Sequence, residues 1–215
     1  METSDEDDRE NTFERLCPYG APMRMLPGVA DRTPEEWAQE YGKRQFALQE
    51  RLTDKLADLL AELLKGARID YVNNIEQRTK TEQSLADKLR RKGESYQDPL
   101  AEVGDLSGLR VITYLPSDRV RVGELIEQEF AVDPERSPGE SAPSDPARFG
   151  YESAHYVVAV TQDRAALTDW ADFADLVAEI QVRTVLQHAW AAISHKVDYK
   201  TEAGCLPRSV GNCSV

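Results

Sequence analysis

The stretch GLRVITYLP, residues 108–116, decides how the rest of the chain is read. Its seven middle residues are β-branched, aromatic or aliphatic around one arginine, with a glycine before them and a proline after. That pattern predicts a buried strand over 109–115, because such side chains pack on a pleated surface and Gly and Pro punctuate elements. Downstream, Ser117 or Asp118 can cap a helix carrying Val122, Leu125, Ile126 and Phe130. Residues 133–150 (DPERSPGESAPSDPARFG) are dense in Pro, Ser, Gly and acids and read as a long loop. A second strand is expected over 156–160 and a third over 178–183 (AEIQVR). In the third, Glu179, Gln181 and Arg183 alternate with Ile180 and Val182 and therefore face one way. A last helix, about 184–196, is expected to bury Leu186, Ala189, Trp190, Ile193 and Val197, with His188 and His195 on its opposite side.

Upstream of the deciding strand the signals are helical. Thr33, Pro34 and Glu36 form a capping-box start, and Trp37, Tyr41, Leu48, Leu52, Leu56, Leu59, Leu60 and Leu63 keep helical spacing up to a stop near Gly66. A short helix is expected around Ile69, Val72 and Ile75. Over residues 80–91, Lys80, Ser84, Lys88 and Arg91 share one side of a helix and Leu85 and Leu89 another. Helices, strand, helix, strand, strand and helix in that order predict an α/β (α+β) domain: a small mixed sheet flanked by helices, with an N-terminal helical layer.

Composition narrows the function. Charged residues make up 30% of the 215 and apolar ones 40%, as in globular chains, and charges interrupt every apolar run well short of a membrane span. Residues 1–30 read as an acidic tail without a secretory signal, 31–200 as the domain, and 201–215 as an irregular end, either natural or truncated; a cytoplasmic location is expected. Cys17, Cys205 and Cys213 fit neither a disulfide framework nor zinc spacing. The net charge of −13 disfavours non-specific nucleic-acid binding, yet residues 65–92 hold eight basic side chains against four acidic ones. Such a local excess points to phosphate, although charge pattern alone is explained as well by a solvated face. Asp105, at the entrance of the first strand, could equally be a turn-former. Glu179, Gln181 and Arg183 need either a wet cleft or solvent, since an apolar environment would penalise them heavily.

Four stretches taken in order narrow the choice: R-x-K-x-x-x-S-x-x-x-K-L-x-R-K from Arg78, G-D-L-S-G-L-R-V from Gly104, G-Y-E-S-A-H from Gly150 and E-I-Q-V-R-T-x-x-x-H-A-W from Glu179. Together they resemble the synthetase domain of the RelA/SpoT family, and in the absence of a preceding hydrolase sequence the small alarmone synthetases in particular. The resemblance implies a nucleotidyltransferase-like fold and a pyrophosphokinase that moves the β,γ-pyrophosphate of ATP to the 3′-hydroxyl of GDP or GTP, giving (p)ppGpp. It implies Mg²⁺ as cofactor, held by Asp105 and Glu179, which are also the catalytic pair. By the same resemblance Arg78 and Arg110 enclose the adenine, while Lys80, Ser84, Lys88 and Arg91 hold the triphosphate. Tyr151, His155, Gln181, Arg183 and His188 would form the acceptor site. Glu152, with the acidic lead-in to its loop, departs from the family pattern and brings in two alternatives: a toxin-type relative that modifies the 3′ end of tRNA or adenine nucleotides and has an antitoxin protein as partner, and a regulator that binds nucleotide without turnover. Relatives include tetramers and monomers, so self-association is a further expected partner mode; no membrane partner is implied.

Overall fold

The computed structural model describes residues 32–92, 96–137 and 153–202. Residues 1–30 and 203–215, all three cysteines, Glu152, Tyr151 and most of the 133–150 loop lie outside those residues, as do the side chains of His195 and Val197, and the expected irregular tail begins inside the last helix at 201–202. The described elements are α1 (Pro34–Arg44), α2 (Phe46–Gly66), β1 (Glu76–Thr79), α3 (Glu82–Lys92), α4 (Pro99–Glu102), β2 (Ser107–Thr113), α5 (Pro116–Glu129), β3 (Phe130–Val132), β4 (Ala154–Val160), α6 (Gln162–Ala165), a 3₁₀ turn (Ala171–Phe173), β5 (Val177–Thr184) and α7 (Val185–Glu202). The strands form one mixed sheet in the order β1-β2-β5-β4-β3. Only β2 and β5 run parallel among these pairs; the other three pairings are antiparallel.

The strand predicted over 109–115 exists but sits two residues earlier. Thr113 ends it, because Pro116 supplies a helical φ at the first position of α5 and pulls the turn upstream. For the same reason the helix is entered from Leu115, without a side-chain cap from Ser117 or Asp118. The start of α1 is as expected: Thr33 Oγ1 accepts from the Glu36 amide at 3.3 Å and Glu36 Oε2 accepts from the Thr33 amide at 2.7 Å.

The single long N-terminal helix is in fact two, broken at Gln45. The break sends its two apolar stretches to different places. Trp37 and Tyr41 join Leu85, Leu89, Val103 and Leu106 in a small core beneath α3. Leu52, Leu56, Leu60 and Leu64, four apart and so on one stripe, join the main core with Val122 and Ile126 of α5. There they cover Leu109, Val111, Tyr156, Val158, Ile180 and Val182 on one face of the sheet. Each such side chain, once buried, contributes about 1.5–3 kcal/mol.

No helix forms around Ile69, Val72 and Ile75. Helix α2 ends in a Schellman-type turn, with Arg68 at φ 54° and the Ile69 amide donating to Leu64 O at 3.0 Å. The chain then runs along β2, with the Val72 amide on Ile112 O at 2.7 Å, before entering β1.

Over its described side chains, the expected stripe on α7 is not buried. Leu186, Trp190 and Ile193 are 67, 45 and 57% exposed. The helix leaves the sheet at Thr184 and packs on the ends of β5 and β2, so apolar periodicity marked a face without specifying a cover for it. Among the described residues, no helix is long and apolar enough to cross a membrane.

Gly123 lies inside α5 against Tyr156: a Cβ added there would sit 2.3 Å from the Tyr156 hydroxyl oxygen. Glycine to alanine within a helix ordinarily stabilises by about 1 kcal/mol. Here the sign reverses, because Tyr156 is buried in the main core and cannot swing away. We expect Gly123→Ala to destabilise by about 1–3 kcal/mol in denaturant unfolding, with partial recovery in the Gly123→Ala/Tyr156→Phe double variant. A more stable Gly123→Ala protein would contradict this packing.

Candidate active site

Strand register builds the second face of the sheet. Glu76, Arg110, Gln181 and His155 are successive cross-strand partners on β1, β2, β5 and β4, and so line up in one row. The adjacent row on the same face is Arg78, Gly108, Glu179 and Val157. The stem of Arg78 lies over Gly108, 3.5 Å from where a Cβ would be. Over β1, β2 and β5 this face is therefore charged where its reverse is apolar, and it holds a cavity of ≈ 110 Å³ lined by Glu76, Arg78, Gly108, Arg110, Glu179 and Gln181, among others; toward β3 it becomes apolar with Val157, Ala159, Val177 and Ala131.

Asp105 is brought to the same face by the loop before β2. Gly104 presses on Val157, the cross-strand partner of Glu179; a Cβ at Gly104 would stand 3.2 Å from both methyl carbons of Val157. A side chain at Gly104 would have to push Val157 aside by a few tenths of an ångström. Each oxygen of Asp105 is held by its own lysine: Lys88 Nζ at 2.7 Å from Oδ1 and Lys80 Nζ at 2.9 Å from Oδ2. Arg78 Nη2 stands 3.8 Å from Oδ2. Lys80 is only 8% exposed, and its backbone is fixed at both ends, its amide on Leu106 O at 2.8 Å and its carbonyl accepting from Tyr41 Oη at 2.8 Å. Burial, helped by the charge of Asp105, raises the Tyr41 phenol, so it stays protonated as that donor.

Glu179 has a different environment. Its Oε1 accepts from His155 Nδ1 at 2.9 Å and its Oε2 from Gln181 Nε2 at 2.9 Å. A carboxylate can only accept, so the His155 proton is on Nδ1, and Nε2 faces the Ser153 hydroxyl. Gln181 Oε1 in turn accepts from Arg110 Nε and Nη2 at 3.3 and 3.2 Å and from Arg183 Nη2 at 2.9 Å. Arg110 Nη1 donates to Glu76 Oε2 at 2.8 Å.

Both carboxylates lie below their ordinary range. For Asp105, burial pushes upward, but hydrogen bonds and charge from Lys88 and Lys80 outweigh it. Burial also opposes ionisation of Glu179, as does the charge of Asp105, and the bonds from His155 and Gln181 with the His155 charge prevail. Glu179 thus senses the charge of Asp105 across the face. The Arg183 guanidinium is lowered by burial and by Arg110 nearby.

The structure thus gathers Asp105, Lys80, Lys88 and Arg78 into one cluster and Glu179, Gln181, Arg110, Arg183 and His155 into another beside it. Ser84, at the start of α3, accepts from the Thr81 hydroxyl at 2.9 Å. Arg91 turns back along its own helix, with Nε on Asp87 O at 3.3 Å. His188 is half-buried in the first turns of α7, and its Nδ1 is buried without a hydrogen-bond partner. Sequence reasoning missed Glu76 and Ser153. The alternation Glu76-x-Arg78 carried a signal for the first, had this short polar segment been read as an edge strand.

As to a metal, no group of three or more His, Cys, Asp and Glu side chains is poised to hold one among the described residues. Asp105 and Glu179 alone suit Mg²⁺, which keeps waters and binds through one or two carboxylates plus substrate phosphates. The donor set fits a cation delivered with phosphate.

Residues 77–204 match the region found in RelA / SpoT proteins. The chain belongs to that family. It is similar to the GTP pyrophosphokinase YwaC of Bacillus subtilis, 28% identical over 131 residues that cover 60% of this chain and 59% of that protein. The chain therefore spans less than two thirds of this curated relative. Among solved structures, small alarmone synthetase 1 from Bacillus subtilis matches with a TM-score of 0.59 at 24% identity, over 80% of this chain and 85% of that one. The same protein bound to its product pppGpp matches with a TM-score of 0.57 at 26% identity, over 80 and 86%. The mixed five-stranded sheet of this RelA/SpoT-family chain is thus the small alarmone synthetase fold.

A depressed carboxylate stabilises the folded state above its unfolded-state value, and that contribution is lost as pH falls through the folded value. Denaturant unfolding of nucleotide-free protein should show stability declining below about pH 4, the lower edge of the ordinary carboxylate range. Asp105→Asn should flatten part of that acid limb; a limb as steep as in the unsubstituted protein would place its origin elsewhere.

Proposed function

We propose that this protein is an ATP-dependent pyrophosphokinase acting on the 3′-hydroxyl of GDP or GTP. The observation that carries this reading is the pairing of Asp105, compensated by Lys80 and Lys88, with Glu179, oriented by His155 and Gln181, on one face of the sheet. Its relatives, a GTP pyrophosphokinase and a synthetase bound to pppGpp, point the same way.

Chemically, the acceptor 3′-oxygen forms a bond to the β-phosphorus of ATP. The bond from that phosphorus to the oxygen bridging to the α-phosphorus breaks, and AMP departs with the electron pair. The acceptor proton passes to Glu179. Because Glu179 is ionised at neutral pH, it can accept a hydrogen bond from the hydroxyl at once; as a weak base it takes the proton late, when the oxygen has become acidic through bonding. Lys80, Lys88, Ser84 and Arg91 would gather the triphosphate, and Arg78 and Arg110 would flank the adenine. On the acceptor side, His155, Gln181, Arg183 and His188 would face the nucleotide, with Tyr151 as a stacking ring. Mg²⁺, held by Asp105 and Glu179, supplies neutralisation of the β- and γ-phosphate charge when bound. Positioning and charge compensation are the principal demands of phosphoryl chemistry, and this face meets both.

The test is a transfer assay with γ-labelled ATP and Mg²⁺, offering GDP, GTP, AMP, ADP and deacylated tRNA separately. Label on GDP or GTP is expected. Label on tRNA or adenine nucleotides alone would replace the acceptor and move the chain to the toxin-type reading; transfer to none would leave a nucleotide-binding regulator. Asp105→Asn and Glu179→Gln should each lower the rate by at least about 10²-fold, as removal of charge-stabilising groups does elsewhere. Either variant working near the parent rate would strike its carboxylate from the mechanism.

A further inference from the structure

We propose that Lys80 and Lys88 form a latch on Asp105 that excludes a free divalent cation and admits one only when it arrives bound to a polyphosphate. This rests on the reading of the site as one for a metal-bound nucleoside triphosphate, and goes beyond it by ordering how the two components load.

Each oxygen of Asp105 is in an ion pair with a lysine in the nucleotide-free protein. Lys88 Nζ takes Oδ1 at 2.7 Å and Lys80 Nζ takes Oδ2 at 2.9 Å, with Arg78 Nη2 at 3.8 Å from Oδ2. A cation approaching alone meets three positive groups around the carboxylate it needs. It would have to displace an ammonium at hydrogen-bond distance from a carboxylate that is 18% exposed, against the repulsion of two lysines that are largely withdrawn from water. Glu179 is the other carboxylate available, and both of its oxygens already accept from His155 and Gln181. Among the described residues no third acidic, His or Cys ligand joins them to compensate.

A polyphosphate reverses this balance. It brings oxygens that replace Asp105 as partner of the lysines, so each ammonium exchanges one anion for another and is never left bare. The freed carboxylate oxygens then face the cation carried on the same phosphates, which suits the preference of Mg²⁺ for phosphate, water and one or two carboxylates.

The two lysines have unequal freedom. Lys80 is 8% exposed and its backbone is fastened to Leu106 and Tyr41, so its ammonium stays near Asp105. Lys88 projects from α3 and is 21% exposed, with a flexible stem in contact with solvent. Lys88 is therefore the part that moves, and Lys80 the part that stays.

The experiment uses the full chain and Mn²⁺, whose free and bound forms are counted by electron paramagnetic resonance. Mn²⁺ is titrated into the unsubstituted protein, Lys88→Met and Lys88→Met/Asp105→Asn, each with and without α,β-methylene ATP, which cannot transfer pyrophosphate. The unsubstituted protein should bind Mn²⁺ weakly alone and gain a site with the analogue. Lys88→Met should bind Mn²⁺ without nucleotide at least about tenfold more tightly than the unsubstituted protein, since one competing positive charge is gone. The double variant should lose that gain. Equal nucleotide-free affinities in the unsubstituted protein and Lys88→Met would overturn the latch, as would a gain that survives Asp105→Asn. Should Lys88→Met fail to fold, judged by circular dichroism, Lys88→Gln removes the same charge and is held to the same outcomes. Failure of the unsubstituted protein to bind the Mn²⁺ analogue complex would retire the pyrophosphokinase reading and with it the admission of cation on polyphosphate, while the nucleotide-free comparison would still decide whether the lysines exclude free cation.

Discussion

The parallel pairing of β2 with β5 is the constraint on which the site depends. Register places Gly108 beside Glu179 and Arg110 beside Gln181. Because side chains alternate across a strand, the same register puts Leu109 and Val111 with Ile180 and Val182 on the reverse face, under α2 and α5. A slip of one residue would bury Glu179 and Arg110 beneath the leucines of α2 and lift Ile180 and Val182 into the charged cleft. The packing of the core thereby fixes where the chemistry stands. Because the core fixes that register, the site is placed by the apolar side that it does not touch.

Two carboxylates on one face would ordinarily repel, and the structure compensates them by different means. Asp105 is offset by hydrogen bonds and charge from two lysines, whereas Glu179 is offset by the hydrogen bonds of His155 and Gln181 with the charge of His155. The difference follows the elements that supply the partners. Lys88 comes from a helix whose apolar side sits in the small separate core, and Lys80 from the turn before it. His155 and Gln181 come from the sheet itself, in ladder positions that cannot move independently. Asp105 therefore has at least one partner that can be exchanged for phosphate, while Glu179 keeps its aim. That division matches one acid awaiting a charged ligand and another awaiting a hydroxyl.

The sequence made legible what local pattern dictates. The alternation over Glu179, Ile180, Gln181, Val182 and Arg183 is strict, and the strand and its polar face were correctly read from it. So was the capping box at Thr33, whose chemistry is complete within four residues. What escaped was set by distant partners. β1, with the sequence EQRT, has no apolar alternation and is a strand because β2 offers it an edge. The break at Gln45 leaves helical spacing intact on both sides and exists because Trp37 and Tyr41 have a separate core to fill. The stripe on α7 is as apolar as a buried one would be, and nothing in its own spacing tells what lies against it. Asp105 could equally have been a turn residue; Gly104 against Val157 makes it part of the site, and that contact joins residues more than fifty apart.

Gln181 shows how the two halves of the face are made to agree. Its carbonyl oxygen accepts from Arg110 and Arg183, so its amide nitrogen has one direction left, toward Glu179. A flipped amide would set N–H groups against two guanidinium ions and a carbonyl against a carboxylate, and every contact would become repulsive. Arg110 is itself held by Glu76 from the edge strand. The orientation of Glu179 is thus anchored on one side to β1 through Arg110 and Gln181, and on the other to β4 through His155. Four strands contribute to the position of one carboxylate. That span explains why a strand as short and polar as β1 belongs to the functional unit: without Glu76, Arg110 would lose the ion pair that steadies its guanidinium on the carbonyl of Gln181.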